Sequence, residues 1–456
     1  MEIDKSELTE LLIPINTSRE DCIVFEKVEK CTYTSGKSPF SMALCLEDDN
    51  DDDDDDEEEE EKIIYVHPSI NELASKLGVA SVTKRFIYTQ NTGVLAWGQE
   101  EKLTTRISGL LDSYTDGLAV PKELVQNADD AGATKVCFLY DERENLEWRN
   151  GLFDQGMAEC QGPAIWVYND AIFEEKDFKN IIELGGKTKI LDTEKIGKFG
   201  LGFCSVYNVT DVPSFVSKNT LVILDPHLHH LGEAAIGTNP GLRVPLTKSY
   251  RKNLSNQFKP YNGIFGCNLE PNNKDEYNKT LFRLPLRTQK QASESEIKDL
   301  QYTKREVVEL LQKFLDSAAN LLLFTQNVKE ICVYHLNSKS QNPNEDMKLL
   351  FQAWKENTEK SAEETEFNIL KKVTSAMKGE QPSEIIFPVQ IIEIGIEVSS
   401  EAHEISKEFH TSRDITSWII SWGTGNKTFE LANKLKQQGA IPVGSVAVPI
   451  RRDGKN

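Results

Sequence analysis

No run of about eighteen apolar residues occurs anywhere in the 456-residue chain, so a transmembrane helix is not expected. No basic stretch followed by an apolar one opens it, and secretion is not expected either. Paired cysteines are missing too: the eight cysteines, at 22, 31, 45, 137, 160, 204, 267 and 332, include no CxxC. That scatter argues against a zinc site or a disulfide framework and fits reduced thiols in the cytosol or nucleus, with a cytoplasmic location expected. At 39% hydrophobic the chain is poor in apolar residues for one globule, yet too rich for wholesale disorder. Its length predicts roughly two to four units.

Net positive charge is absent as well. The formal charge is −21, from 73 acids and 52 bases. Fourteen of the acids lie in one tract, 47–61, interrupted only by Asn50; without it 59 acids face 52 bases and the net is −7. Such a tract repels itself and buries nothing, so it reads as an extended linker, with capture of a basic protein as the other reading. The acidic balance makes neither nucleic acid nor an anionic membrane an expected partner.

Along the chain, residues 1–46 mix short strand-like runs with turn residues and read as a tail of a preceding unit. After the acidic linker, 62–97 reads as a connecting helix and linker, with Ile70, Leu73, Ala74 and Leu77 at helical spacing before Gly78. Residues 98–335 then mix elements. A helical stripe of Ile107, Leu110, Leu111 and Tyr114 precedes a helix over 120–131, and the runs KVCFLY (135–140) and AIWVY (164–168) read as buried strands. A helix follows over 173–184, strands over 221–225 and 280–286, and a long helix over 304–325. Strands and helices that do not strictly alternate predict an α+β fold, an α/β sandwich with helices over one sheet face. The polar segment 336–380 reads as a linker and 381–456 as a second, smaller α/β unit.

Three clusters carry chemistry. In KELVQNADDAGA (122–133), Glu123, Asn127 and Asp130 fall at i, i+4 and i+7 and project from one helix face. Polar groups among apolar neighbours are costly to desolvate unless a ligand or cation satisfies them; a solvated helix face is the competing reading. In IGKFGLGFCSVY (196–207), Gly197, Gly200 and Gly202 permit close approach of backbone N–H groups to an anion. GGKT at 185–188 is not a P-loop, because the first glycine of that motif would fall at Ile181. Finally Asp170 follows a buried strand and is placed to accept from an exocyclic amine such as that of adenine, or else to form a turn with Asn169.

The order of these clusters resembles the Bergerat nucleotide-binding fold of the GHKL superfamily, and GKFGLGFCSVYNVTD resembles its heat-shock-chaperone branch most closely. ELVQNADDAGATKVCFLYDER, QGPAIWVYND and KIGKFGLGFCSVYNVTDVPSF are similar to the repeat units of the sacsin family of giant co-chaperones, over 98–335 and more loosely in the flanks. The resemblance implies ATP and Mg²⁺ as cofactors, client or chaperone proteins as partners, and neighbouring repeats in a longer chain. It also implies roles: Glu123 activates the hydrolytic water, Asn127 binds Mg²⁺, Asp130 lines the pocket and Asp170 pairs with the adenine amine. Gly197, Lys198, Phe199, Gly200, Leu201, Gly202 and Phe203 match the phosphate loop. Gly186, Lys187 and Thr188 match the start of a lid, and Thr280 an adenine-side threonine.

Two departures stand out. Ile172 and Glu174 occupy positions where the family has glycine, and would be expected to narrow the adenine pocket. No cation is identifiable as a clamp on the γ-phosphate, and charge neutralisation supplies most of phosphoryl-transfer catalysis. The expected function is thus a slow ATP-hydrolysing chaperone module, with a non-hydrolysing protein-interaction scaffold as the alternative. DNA topology and mismatch repair fit the acidic charge poorly, and a histidine kinase lacks its phospho-acceptor helix.

Overall fold

The computed structural model describes residues 11–15, 23–33, 64–74, 76–81, 101–112, 117–146, 151–182, 202–232, 235, 239–357, 390–423 and 444–450. The chain divides into two compact units, Met1–Glu100 and Glu101–Asn456. Among the described residues no helix is long and apolar enough to cross a membrane.

In the first unit β1 (Leu12–Ile15) pairs antiparallel with β2 (Val24–Lys27). β3 (Cys31–Tyr33) lies between β4 (Ile64–Tyr65) and β5 (Ala80–Ser81), parallel to both. Ile13, Val28, Cys31, Val66, Ala74 and Val79 form the shared core. Segments on either side of the acidic tract therefore build one small unit, where the sequence suggested a tail fragment and a separate connector. Neither piece has enough apolar side chains alone, and pairing them pools what each has. The tract itself lies outside the described residues.

The second unit is built on one mixed sheet of eleven strands, in the order β10-β9-β8-β11-β7-β6-β12-β13-β14-β15-β16. In chain order these are β6 (Lys135–Asp141), β7 (Ala164–Asn169), β8 (Ser214–Lys218), β9 (Thr220–Leu224), β10 (Gly241–Pro245) and β11 (Tyr277–Pro285). Then follow β12 (Glu330–Leu336), β13 (Lys348–Asn357), β14 (Gln390–Val398), β15 (Ser412–Gly423) and β16 (Gly444–Ile450). β12 runs parallel to β6, and the other pairings are antiparallel.

Strand alternation divides the side chains between two cores. Phe138, Ile165, Val167, Phe282 and Val333 face one layer, which contains α1 (Leu103–Leu111), α2 (Ala119–Asp130), α3 (Glu175–Ile182) and α4 (Lys304–Phe324). Cys137, Leu139, Trp166 and Leu281 face the other, under Phe258, Tyr261 and Ile264. The α+β class follows the sequence, but the middle of the sheet is covered on both faces, not one. The second cover consists of short helices such as Lys248–Asn253 and Ser255–Phe258, too brief to leave a periodic signal. The region 336–456 also differs from expectation. β13 arises inside the segment read as a linker, and β13 to β16 extend the same sheet instead of forming a separate unit.

Two anchors set the geometry around α2. Thr303 and Glu306 form a capping box at the start of α4. At the other end, buried Asp129 accepts hydrogen bonds from the backbone N–H groups of Gln326 (2.8 Å), Asn327 (2.6 Å) and Val328 (2.8 Å). Asn327 Nδ2 returns a bond to the Asp129 carbonyl at 2.9 Å. The end of α2 is thus pinned to the turn between α4 and β12.

Asp129→Ala leaves three backbone donors without their acceptor and should cost about 3 kcal/mol, read as a lower denaturant midpoint. Burial holds His227 and His335 below the ordinary value of 6.5, despite Asp211 near the first and Glu142 bonded to the second at 3.0 Å. The folded state therefore binds fewer protons there than the unfolded chain, so stability should fall as pH drops below about 6.5. Urea midpoints measured between neutral pH and pH about 5.5 test this, and His335→Gln should flatten the slope.

Candidate functional site

A cleft of about 870 Å³, counting the space open at its mouth, lies between α2, α3 and the ends of β7 and β11. α2 contributes Asn127, Ala128 and Asp130, because its buried stripe of Leu124, Val125 and Ala128 turns the intervening polar positions toward the rim. β7 contributes Val167 and Asn169, and its partner β11 contributes Thr280 and Phe282. Phe173, Asp177, Asn180 and Ile181 come from α3 and the segment before it, and Phe203 from the 3₁₀ helix Gly202–Asn208. The wall is aromatic: Phe173 lies 4.7 Å from Phe215 and 6.1 Å from Phe282, and Phe203 lies 5.9 Å from Phe282. Such a surface suits a flat ring.

Four residues singled out from the sequence line this cleft: Asn127, Asp130, Phe203 and Thr280. Glu123, one turn before Asn127, packs beside it. A Cβ added at Gly202 would overlap the Glu123 Oε2 and stand 3.8 Å from Asn127 Nδ2. Glycine at 202 is what allows the carboxylate this close to the backbone of the 3₁₀ helix, and any larger residue would displace it. Gly186, Lys187, Thr188, Gly197, Lys198, Phe199, Gly200 and Leu201 lie outside the described residues.

Asp170 is placed elsewhere. Its carboxylate accepts from Thr134 N (2.8 Å), Thr134 Oγ1 (2.5 Å) and Lys135 N (3.1 Å), which ties the end of β7 to the start of β6. It does not line the cleft; its neighbour Asn169 does. Ile165 and Val167 face the helical layer and Trp166 and Tyr168 the other, so the next residue toward the helices is 169. The same alternation, read along AIWVYND, was the available signal for Asn169. Asn169 Oδ1 accepts from Ala171 N at 3.1 Å, while Thr280 Oγ1 donates to Ala171 O at 2.9 Å. Ile172 and Glu174 are exposed and do not line the cleft, so the narrowing expected from them does not arise; Ala171 and Phe173 occupy the wall. Asp177 and Asn180, three residues apart on one face of α3, were also missed by the sequence reading.

Among the described residues no basic side chain lines the cleft, and no group of three or more His, Cys, Asp or Glu has metal-binding geometry. The donors present, an amide at Asn127 and carboxylates at Asp130 and Glu123, suit Mg²⁺ only in company with phosphate oxygens, which is how that ion is commonly held.

Asp170→Asn places an amide N–H₂ among donors and should lower stability by about 1–3 kcal/mol, seen as a reduced melting temperature, because the residue braces β6 against β7 and does not touch the cleft.

Residues 100–348 match the Sacsin domain family. The chain is also 37% identical over 322 residues to sacsin of Homo sapiens, a match that covers 69% of this chain and 7% of the human protein. The aligned part is thus a small fraction of a very long relative. With more than half of its length matched, including the cleft and the strands that form it, the chain belongs to the sacsin-domain family.

Proposed function

We propose that this chain is an ATP-binding module that hydrolyses its nucleotide slowly and serves a chaperone or co-chaperone role in the cytoplasm, alongside neighbouring repeats of a longer chain. One observation carries the reading. An amide and a carboxylate from α2, Asn127 and Asp130, open into the same aromatic-walled cleft as Asn169 and Thr280, while Glu123 lies beside Asn127 against Gly202. The base would sit against Phe173, Phe203 and Phe282. The phosphates would point toward the Gly202 end, where Asn127 would hold Mg²⁺ and so lower the charge repulsion between nucleotide and carboxylates. Glu123 would orient the attacking water, since a carboxylate held against backbone can accept a proton without moving far.

A second reading is favoured by the acidic and uncharged lining of the described part of the cleft. Among the described cleft residues there is no lysine or arginine, so none of them can neutralise the charge that develops on a transferring phosphoryl group. A scaffold that binds client or chaperone proteins without turnover would have the same fold and the same cleft.

Calorimetric titration of the intact chain with MgATP separates these readings. Wild type should bind, and Glu123→Ala should bind with similar affinity while phosphate release stops. Absence of binding heat in the wild type would overturn the nucleotide reading and leave the scaffold.

A further inference from the structure

A second pocket, apart from the cleft, is rich in histidine: His227, His229 and His230 line it with Glu159, Asp211 and Lys290. His227 Nε2 lies 3.0 Å from the backbone N–H of Glu296, which can only donate, so Nε2 accepts and the ring proton sits on Nδ1. Nδ1 is buried and has no hydrogen-bond partner among the described residues. The ring is thus bound in its neutral form, with its single acceptor in use. Glu296 in turn holds the first turn of α1. Its carboxylate accepts from Thr104 Oγ1 at 2.6 Å and Lys102 Nζ at 2.9 Å. These bonds lower it to about 2, so it stays charged in mild acid. The contacts run from His227 through one backbone amide and one carboxylate to α1. On its other side α1 walls an apolar cavity of about 1470 Å³, counting the space open at its mouth, where Leu103 and Ile107 meet Phe203 and Tyr207.

We propose that His227 is a pH-sensitive latch on α1: a proton on Nε2 removes the acceptor that holds Glu296, and the first turn of α1 loosens from the cavity wall. Two N–H groups would otherwise face each other at the distance of the present bond, and the ring has to turn away. The surroundings set when this happens. Asp211 and Asp225 favour the charged ring and His229 and His230 oppose it, while burial, the largest influence, keeps His227 below its ordinary 6.5. Both acids are already engaged, Asp211 by Arg287 and Ser295 and Asp225 by the N–H groups of His230 and Leu231. Lys290 and Glu159 face the pocket as a pair at 2.5 Å, with Glu294 beside them. His229 lies 5.4 Å from the His227 ring, so charging both adds repulsion in the same direction. The latch is closed at neutral pH and opens as pH falls below about 6.5.

The test is amide hydrogen exchange on the intact chain at neutral pH and at pH about 5.5, corrected for the intrinsic effect of pH on exchange. Protection of Arg106, whose N–H bonds to Lys102 O at 3.1 Å, and of Ile107 should fall about tenfold in acid, the effect of one lost hydrogen bond. Amides in the middle of α4 report any general loss of stability and should change less. His227→Gln offers an amide oxygen to Glu296 and cannot titrate, so α1 should stay protected at both pH values. The isosteric Thr104→Val cuts the chain of contacts at its far end, and α1 should be loose already at neutral pH. Wild-type α1 that keeps its protection in acid, or loses it only in step with α4, overturns the latch. So does a His227→Gln chain whose α1 loosens in acid as the wild type does.

Discussion

The carboxylate of Asp129 is the constraint on which the candidate site depends. It is buried at the end of α2 and accepts three consecutive backbone N–H groups from the turn that leads into β12. A buried carboxylate is costly unless its oxygens are satisfied, and here the donors come from a turn that would otherwise have buried orphan N–H groups of its own. Each group solves the other's problem. The consequence is that the end of α2 is tied to the turn leading into β12. Asn127 and Asp130, two residues before and one after the anchor, are thereby set on the cleft shared with β7 and β11.

The sheet supplies the second constraint. β7 lies between β6 and β11, buried on both faces, so its register determines which residues reach the helical layer. Asp170 secures that register by binding Thr134 and Lys135 at the start of β6. The polar residue seen by the cleft is then Asn169. Opposite it, the rings of Phe173, Phe178, Phe215 and Phe282 form a continuous cluster with neighbouring centroids 4.7–6.1 Å apart. Arg243 caps it, with its guanidinium 4.1 Å from the Phe178 ring and paired to Glu175 at 2.7 Å. α3 is thereby held against the sheet, and its polar face with Asp177 and Asn180 is presented to the cleft.

The electrostatic character of the site follows from these placements. Asp130 and Asp177 face the cleft, Glu123 stands next to it, and the described lining holds no base. A polyanionic ligand entering such a site meets repulsion unless a divalent cation accompanies it. A nucleotide bound there, as proposed above, would therefore be expected to enter together with a divalent cation.

Sequence alone determined a good deal of this. The i, i+4, i+7 spacing put Glu123, Asn127 and Asp130 on one face of a helix, because side-chain direction on a helix is a local property of the backbone. The runs KVCFLY and AIWVY are strands for the same reason, and the sacsin-type motifs located the family. Tertiary structure decided the rest. Whether Asn169 or Asp170 meets the cleft depends on where β7 ends and on what Thr134 offers across the sheet, which are non-local facts. β13 lies inside a polar segment that reads as a linker in isolation, and only its pairing with β12 and β14 shows that β13 to β16 continue the central sheet. The pairing of segments across the acidic tract was likewise invisible, since neither segment buries its apolar side chains until the other arrives.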